Sequence, residues 1–251
     1  MDALTIRGVK KGYMSHNRYK TQALDGVDLT VSAGEFVGIM GPSGSGKTTL
    51  LNVASGIDRC DEGGIFIHGH DLSKLGKMEL SLFRRGNIGL VFQDFNLLNS
   101  LTVRENILTP LVLDHKLYEV DETDIKALVE ILDLQEILDK YPYEISGGEK
   151  QRTAICRAII NNPKIIFADE PTGNLDSKMS ENILSYFDTV HTKYGVSIVL
   201  VTHDPFSACH CQRIVFLKDG KNAGEIVREG DKHAFFEQIL AEMQGAGELR
   251  K

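Results

Sequence analysis

The sequence predicts an α/β fold: a core of mostly parallel strands with flanking helices and an attached antiparallel β lobe. Three observations predict it. Phe36-Val37-Gly38-Ile39-Met40 is a short apolar run of strand character, the next stretch is rich in glycine, and Thr49 to Ala54 has the spacing of a helix packed on a sheet. Ile165 to Ala168 is a second apolar run, and it ends in two acids, Asp169 and Glu170. Leu4 to Val9 and Val27 to Val31 alternate apolar and polar residues, as half-buried antiparallel strands do.

The glycine-rich stretch organises the rest. Gly41-Pro42-Ser43-Gly44-Ser45-Gly46-Lys47-Thr48 fits the phosphate-loop pattern G-x-x-x-x-G-K-[ST]. Strand, loop and helix in that order point backbone N–H groups and a helix N-terminus at one anion. The glycines let the backbone turn tightly around phosphate. Lys47 is placed to reach the β- and γ-phosphates, and the Thr48 hydroxyl to hold Mg²⁺.

Composition narrows the classes. With 251 residues, 42% hydrophobic and 25% charged, the chain is expected to be a soluble globular protein with a sizeable core. A net charge of −7 argues against nucleic acid or an anionic membrane surface as main partner. No apolar run approaches the roughly 18 residues of a membrane span, and the N-terminus lacks a signal-peptide core. The chain is expected to stay in the cytoplasm, with any membrane role exerted through a partner. The four cysteines, Cys60, Cys156, Cys209 and Cys211, read as reduced thiols. Cys209-His210-Cys211 lacks the second ligand pair of a zinc site, and His68 and His70 read as solvent-facing strand-end residues.

In chain order, Leu4 to Val9 reads as an edge strand, followed by Tyr13 and a polar loop from Ser15 to Gln22. Tyr13 either stacks its ring on an adenine or is an ordinary strand-end tyrosine. Gly34-Glu35 turns the chain into the phosphate-loop strand. Gly63-Gly64 reads as a turn before a strand at Ile65 to Ile67, and Lys77 to Arg85 as a basic helix. Ile88 to Phe92 is a buried-type strand ending at Gln93. The loop from Asp94 to Leu101 is strongly apolar, so it is either tucked against its own domain or a docking surface. Thr102 and Glu105 form a capping box opening a helix. Asp121 to Leu138 reads as one amphipathic helical stretch, with Ile125, Leu128, Val129, Leu132 and Ile137 on its apolar face. Ser146 caps a helix running to about Asn161, and Ser146-Gly147-Gly148 leaves bare N–H groups at its start, a second anion site.

The acids at the end of the 165–170 strand lie where ligands bind in open α/β sheets. Asp169 is the candidate Mg²⁺ carboxylate and Glu170 the candidate base for an attacking water. A helix follows from Ser177 to about Lys193, then a buried strand from Val196 to Thr202 that ends at His203, within reach of a γ-phosphate. Arg213 to Val227 reads as a hairpin about Asp219-Gly220. Asp231 to Met243 reads as a last helix, and 245–251 as a frayed tail.

Together these motifs resemble the nucleotide-binding subunit of ATP-binding-cassette transporters over essentially the whole chain. Gly41 to Thr48 matches the Walker A loop, Gln93 the Q-loop, and Ser146 to Gln151 the signature, with Glu149 where many members have glutamine. Ile165 to Asp169 matches Walker B, followed by the catalytic glutamate Glu170. Asn174-Leu175-Asp176 matches the D-loop, His203 the switch histidine, and Tyr13 the aromatic A-loop. The resemblance implies a phosphate-loop NTPase core with a helical signature subdomain, as one domain. Core and β lobe would span about 1–92 and 162–227, the helical subdomain 93–161, and a C-terminal helix and tail 228–251.

It also implies roles. ATP would be bound by Tyr13, Gly41, Ser43, Gly44, Ser45, Gly46, Lys47, Thr48 and Thr49. Mg²⁺ would be held by Thr48, Gln93 and Asp169, and hydrolysis would use Glu170, His203, Lys47 and Gln93. Ser146, Gly147, Gly148 and Glu149 would meet the ATP of a second copy, with Asp176 beside them, in a head-to-tail homodimer. An integral-membrane permease would dock near Gln93 to Leu101, with a sensor kinase reached through it. The protein would then sit on the cytoplasmic face of the plasma membrane.

Glu170 to Asp176 looks like the group serving macrolide export, lipoprotein release and cell division. Phe92 to Leu98 and Ala234-Phe235-Phe236 look like its bacitracin-type, peptide-antibiotic branch. A soluble cassette ATPase is the reading from another class. The chromosome and repair type needs a long coiled-coil insertion that the span from Lys47 to Ser146 cannot hold, and ribosome-associated factors usually carry two cassettes.

Overall fold

The structure is a computed structural model that describes residues 1–14 and 20–248. Its strands and helices follow in chain order. The first are β1 (Asp2–Met14), β2 (Lys20–Ser32), β3 (Phe36–Met40), α1 (Lys47–Ala54), β4 (Glu62–Ile67) and β5 (His70–Asp71). Then come α2 (Lys77–Asn87), β6 (Ile88–Val91), α3 (Val103–Leu113), α4 (Glu122–Ile131), α5 (Gly147–Ile159), β7 (Ile165–Asp169) and α6 (Ser177–Tyr194). The last are β8 (Ser197–Thr202), α7 (Pro205–Ala208), β9 (Arg213–Lys218), β10 (Lys221–Val227) and α8 (Lys232–Glu248). The chain divides into two compact units, Met1–Ser73 with Val199–Lys251, and Lys74–Ile198, the division running through β8.

The first unit holds an antiparallel sheet in the order β2-β1-β4-β5. Leu4 and Ile6 face Val31 and Leu29 on one side and Ile67 and Ile65 on the other. All six are buried, because period-2 alternation puts them on one face. β1 is therefore an inner strand, not the edge strand its alternation suggested. It also runs through Tyr13, and β2 begins at Lys20, so Lys20 to Gln22 is strand where a loop was expected; 15–19 lies outside the described residues. Gly63 and Gly64 belong to β4 rather than to a turn before it. A Cβ on Gly63 would lie 2.5 Å from the Arg7 carbonyl oxygen, so glycine there lets β4 close on β1.

In the same unit the other strands follow the order β10-β9-β3-β8. β3 and β9 are parallel, Val37 opposite Arg213 and Met40 opposite Phe216. All five residues of β3 are buried, which is why it reads as an unbroken apolar run. Arg213 fixes the start of the hairpin. Its guanidinium donates to Glu35 (2.7 Å), Glu225 (2.7 Å) and the Thr30 carbonyl (2.6 Å).

In the second unit β6 and β7 are parallel, Ile88 opposite Ile165 and Val91 opposite Ala168. α5 packs closely on β6: a Cβ on Gly89 would lie 2.5 Å from the Ala158 carbonyl oxygen. The expected capping box opens α3, with Glu105 N–H donating to Thr102 Oγ1 (3.3 Å) and Thr102 N–H to Glu105 Oε2 (2.8 Å). The single helix expected over 121–138 is broken. α4 ends at Ile131, Asp133 takes a left-handed φ of 51°, and one 3₁₀ turn covers Gln135–Ile137. Leu132 and Leu134 are both fully buried, and two residues so spaced cannot share one helical face. The turn at Asp133 brings both inward. The 93–161 segment expected as a helical subdomain lies wholly within this unit.

Phe187 on α6 is fully buried in the second unit. Replacing it with alanine is expected to remove about 3–5 kcal/mol of stability, read as a lowered urea midpoint by circular dichroism.

Candidate functional site

The expected site residues fall into two groups, one in each unit. In the first, β3 ends at Met40 and α1 starts at Lys47, so the loop 41–46 joins a buried strand to a helix. Gly44 and Gly46 have φ of 79° and 101°, the left-handed region open to glycine. Close packing fixes the ends of the loop. A Cβ on Gly41 would lie 2.1 Å from the Leu217 carbonyl oxygen, and one on Gly46 2.4 Å from that of Ala23. Gly220 N–H donates to the Ser45 carbonyl (3.0 Å), tying the loop to the β9–β10 turn.

Lys47 is buried, and its ammonium donates to the carbonyls of Gly41 (2.8 Å) and Pro42 (3.0 Å). Its charge thus hangs over the loop. Ser43, Gly44 and Thr48 are exposed and Thr49 half-buried. α1 has no side-chain cap and no acid in its first turn. Its N-terminus therefore keeps the positive end of its dipole uncompensated by its own cap. Ser45 Oγ is buried without a hydrogen-bond partner. An orphaned hydroxyl, a buried ammonium and a helix N-terminus around one loop suit a polyphosphate.

Tyr13, on β1, is partly exposed, and its hydroxyl donates to Asp58 Oδ2 (3.0 Å). His203 follows β8 and is exposed. Asp204 pins the chain behind it, accepting from the N–H groups of Phe206 (3.1 Å) and Ser207 (3.0 Å) as the cap of α7.

The second unit gathers the other residues. Gln93 Nε2 donates to Asn174 Oδ1 (3.2 Å), while Asn174 Nδ2 donates to the Gln93 carbonyl (3.1 Å) and Asp94 Oδ1 (3.2 Å). Asp169 closes β7. Glu170, next to it, has a left-handed φ of 45°, a strained conformation for a non-glycine residue. Gly173 N–H donates to the Glu170 carbonyl (3.0 Å), and Asp176 caps α6 by accepting from Met179 N–H (2.9 Å).

α5 points its N-terminus into this group. A Cβ on Gly147 would lie 3.3 Å from Leu175 and 3.9 Å from Phe95. Gly148 is buried, and a Cβ there would lie 2.1 Å from Met179 Sδ, so this glycine serves packing. Glu149 completes a capping box, its carboxylate accepting from Ser146 Oγ (2.6 Å) and Ser146 N–H (2.7 Å). Hydrogen bonding from Ser146 holds that carboxyl below its ordinary range against an opposing effect of burial.

Two organising residues were missed in the sequence. Arg157 donates to the carbonyls of Asn96 and Phe95 (2.8 Å to the latter), two residues with φ of 47° and 61°. An arginine set between the apolar Cys156 and Ala158 was the available signal, since such a charge needs partners. Asn106, fully buried, accepts from Leu98 N–H (2.8 Å) and donates to the carbonyls of Leu98, Leu101 and Thr102. The 94–101 loop is thus tucked in at Phe95 and Leu97, both half-buried, while Leu98 is exposed.

No set of three or more His, Cys, Asp or Glu side chains is gathered for a metal among the described residues. The Cys209-His210-Cys211 segment is buried, with Lys232 Nζ 2.9 Å from His210 Nδ1.

Comparison with known proteins fits this geometry. Residues 24–173 match the family model described as ABC transporter. The chain therefore belongs to the ABC transporter family, and it is the ATP-binding subunit of such a transporter, an ATPase. It is 48% identical over 241 residues to the Bacillus subtilis ABC transporter ATP-binding protein YvcR, covering 96% of this chain and 93% of that one. It is 47% identical over 223 residues to the bacitracin export ATP-binding protein BceA of Halalkalibacterium halodurans, covering 88% of each. Among solved structures, a dimeric post-hydrolysis state of the ATP-binding cassette MJ0796 bound to ADP and Pi superposes with a TM-score of 0.82. It shares 38% identity over 90% of this chain and 99% of that one.

Arg157→Lys leaves one ammonium where a planar fork spanned two carbonyls. Losing about 1–2 kcal/mol of charge-assisted bonding is expected to speed amide hydrogen exchange across 94–98 roughly tenfold, measured by mass spectrometry on the full chain.

Proposed function

We propose that this ATPase powers a membrane permease that exports peptide antibiotics of the bacitracin type or frees their targets from them. The observation that carries the reading is the similarity to BceA over 88% of both chains. A second reading, a lipoprotein-release, macrolide-export or cell-division complex, rests on the Glu170 to Asp176 string. No helix among the described residues is long and apolar enough to cross a membrane, which suits a subunit attached through a permease. We place it on the cytoplasmic face of the plasma membrane. The permease docks near Gln93 to Leu101, and a sensor kinase is reached through it.

In this reading Tyr13 stacks on adenine, and Gly41 and Ser43 to Thr49 cradle the phosphates. The orphaned Ser45 hydroxyl and the Lys47 ammonium fit that load. Thr48, Gln93 and Asp169 supply the hard oxygen ligands that Mg²⁺ takes. Bound there, Mg²⁺ would offset phosphate charge. Glu170 accepts a proton from the attacking water, and His203 and Gln93 orient the γ-phosphate end. Two copies pair head to tail, so that Ser146, Gly147, Gly148 and Glu149 of one, flanked by Asp176, meet the nucleotide of the other.

Glu170→Gln is expected to lower ATP turnover by about 10²–10⁴-fold while ATP still binds and an ATP-bound dimer accumulates on gel filtration. A variant that stays monomeric at saturating ATP would overturn the head-to-tail pairing. Affinity purification from gently solubilised native membranes tests the larger claim. One large permease recovered with two copies of this chain supports the peptide-antibiotic reading, and a small permease of few spans moves the assignment to the second reading.

A further inference from the structure

We propose that Asp58, with Lys11, is a positioning residue that sets the place of the Tyr13 ring relative to the phosphate loop, so that it controls affinity for the base of the nucleotide. The inference rests on the reading of Tyr13 as the adenine platform.

The geometry lies within one unit. Tyr13 and Lys11 are two residues apart on β1, a spacing that puts both on one face. The Tyr13 hydroxyl donates to Asp58 Oδ2 at 3.0 Å. Lys11 Nζ donates to Asp58 Oδ1 at 2.9 Å and to the Arg59 carbonyl at 2.7 Å. The same ammonium lies over the Tyr13 ring, 5.1 Å from its centre, so the ring is held at its hydroxyl and over one face. Asp61 adds a brace: it accepts from Gly12 N–H at 3.0 Å, and its own N–H donates to the Lys10 carbonyl at 2.8 Å.

Asp58 is in turn fixed to α1. The N–H groups of Ile57 and Asp58 both donate to the Asn52 carbonyl in its last turn, at 2.9 and 3.1 Å. α1 begins at Lys47. The helix that starts at the phosphate loop therefore anchors, through its Asn52 carbonyl, the residue whose carboxylate holds the ring. With a rise of about 1.5 Å per residue, α1 is a rigid spacer between phosphate end and base end. An ordinary surface ion pair has no need to include the phenol.

The electrostatics agree with this role. Burial pushes the Asp58 carboxyl up, but hydrogen bonds from Lys11, the Arg59 N–H and Tyr13 outweigh it and hold the carboxyl below its ordinary value. Burial and the bond to Asp58 raise the Tyr13 phenol, against a smaller opposing hydrogen bond with Thr49. The acceptor thus stays ionised and the donor stays protonated.

The test separates base from phosphate. Dissociation constants of ATP and of inorganic tripolyphosphate, which has no base, are measured by calorimetry on the full chain and on Asp58→Asn, Tyr13→Phe and Tyr13→Ala. Asp58→Asn and Tyr13→Phe are each expected to weaken ATP by about 3- to 10-fold, less than Tyr13→Ala does, and to bind tripolyphosphate as the native chain does. Tripolyphosphate binding also reports that each variant is folded. Combining Asp58→Asn with Tyr13→Phe is expected to add little beyond either alone. Equal weakening of both ligands by Asp58→Asn, or no weakening of either, overturns the proposal while leaving Tyr13 as the platform. Unaltered ATP affinity in Tyr13→Ala removes the platform itself, and the proposal with it.

Discussion

The first unit depends on the close approach of backbone to backbone around residues 41–46. The Leu217 carbonyl stands where a Cβ of residue 41 would be, and the Ala23 carbonyl where one of residue 46 would be. β9 and β2 thereby clamp the loop at both ends, and the β9–β10 turn holds it at Ser45. Only with its ends so fixed can the middle of the loop keep a left-handed Gly44, an exposed Ser43 and a lysine folded across the carbonyls of Gly41 and Pro42. The phosphate-loop pattern is usually described by what it binds. Here two of its glycines are required first by what they pack against.

The second unit solves a different problem. The segments 93–98 and 170–176 are irregular backbone, and buried polar groups in such segments need partners. Side chains supply them. Asn174 bridges to Gln93 and Asp94, Arg157 takes the carbonyls of Phe95 and Asn96, and Asn106 takes both the N–H and the carbonyl of Leu98. The left-handed residues Phe95, Asn96 and Glu170 all lie in these segments. Non-glycine residues in that region store strain that the surroundings must hold. A loop held this way can be apolar at Leu98 without collapsing inward.

Strands with both faces covered, helix caps and the phosphate loop were legible because each is a local pattern. β3 was read to the residue, and Ser146, and Thr102 with Glu105, cap the helices expected of them. The rank of β1 within its sheet was not legible, since alternation reports which face is buried and not how many neighbours a strand has. The break after α4 was hidden for a related reason. Leu132 fits the helical apolar face, and only Leu134, out of phase with it, betrays the turn at Asp133. In the site, the sequence offers roles only for residue types that carry a chemical signature. Asp58 and Arg157 give no local sign of their partners, which lie 45 and 62 positions away, and Asn106, whose partners lie within 8, is a residue type whose burial no pattern announces.

The two helix N-termini that looked like equivalent anion sites are electrostatically different. α1 carries no side-chain cap and no acid in its first turn. α5 carries Glu149, whose carboxylate already takes the Ser146 hydroxyl and N–H. An acid in that place offsets a helix dipole by an amount on the order of 0.3–1 kcal/mol. α5 therefore presents a nearly compensated end, and its Ser146 hydroxyl must leave Glu149 before it can donate elsewhere. Attraction for a free polyphosphate is concentrated at α1, where Lys47 adds a full charge. The two helix ends therefore differ in kind: α1 draws an anion by charge, while α5 offers a hydroxyl already engaged by its own carboxylate.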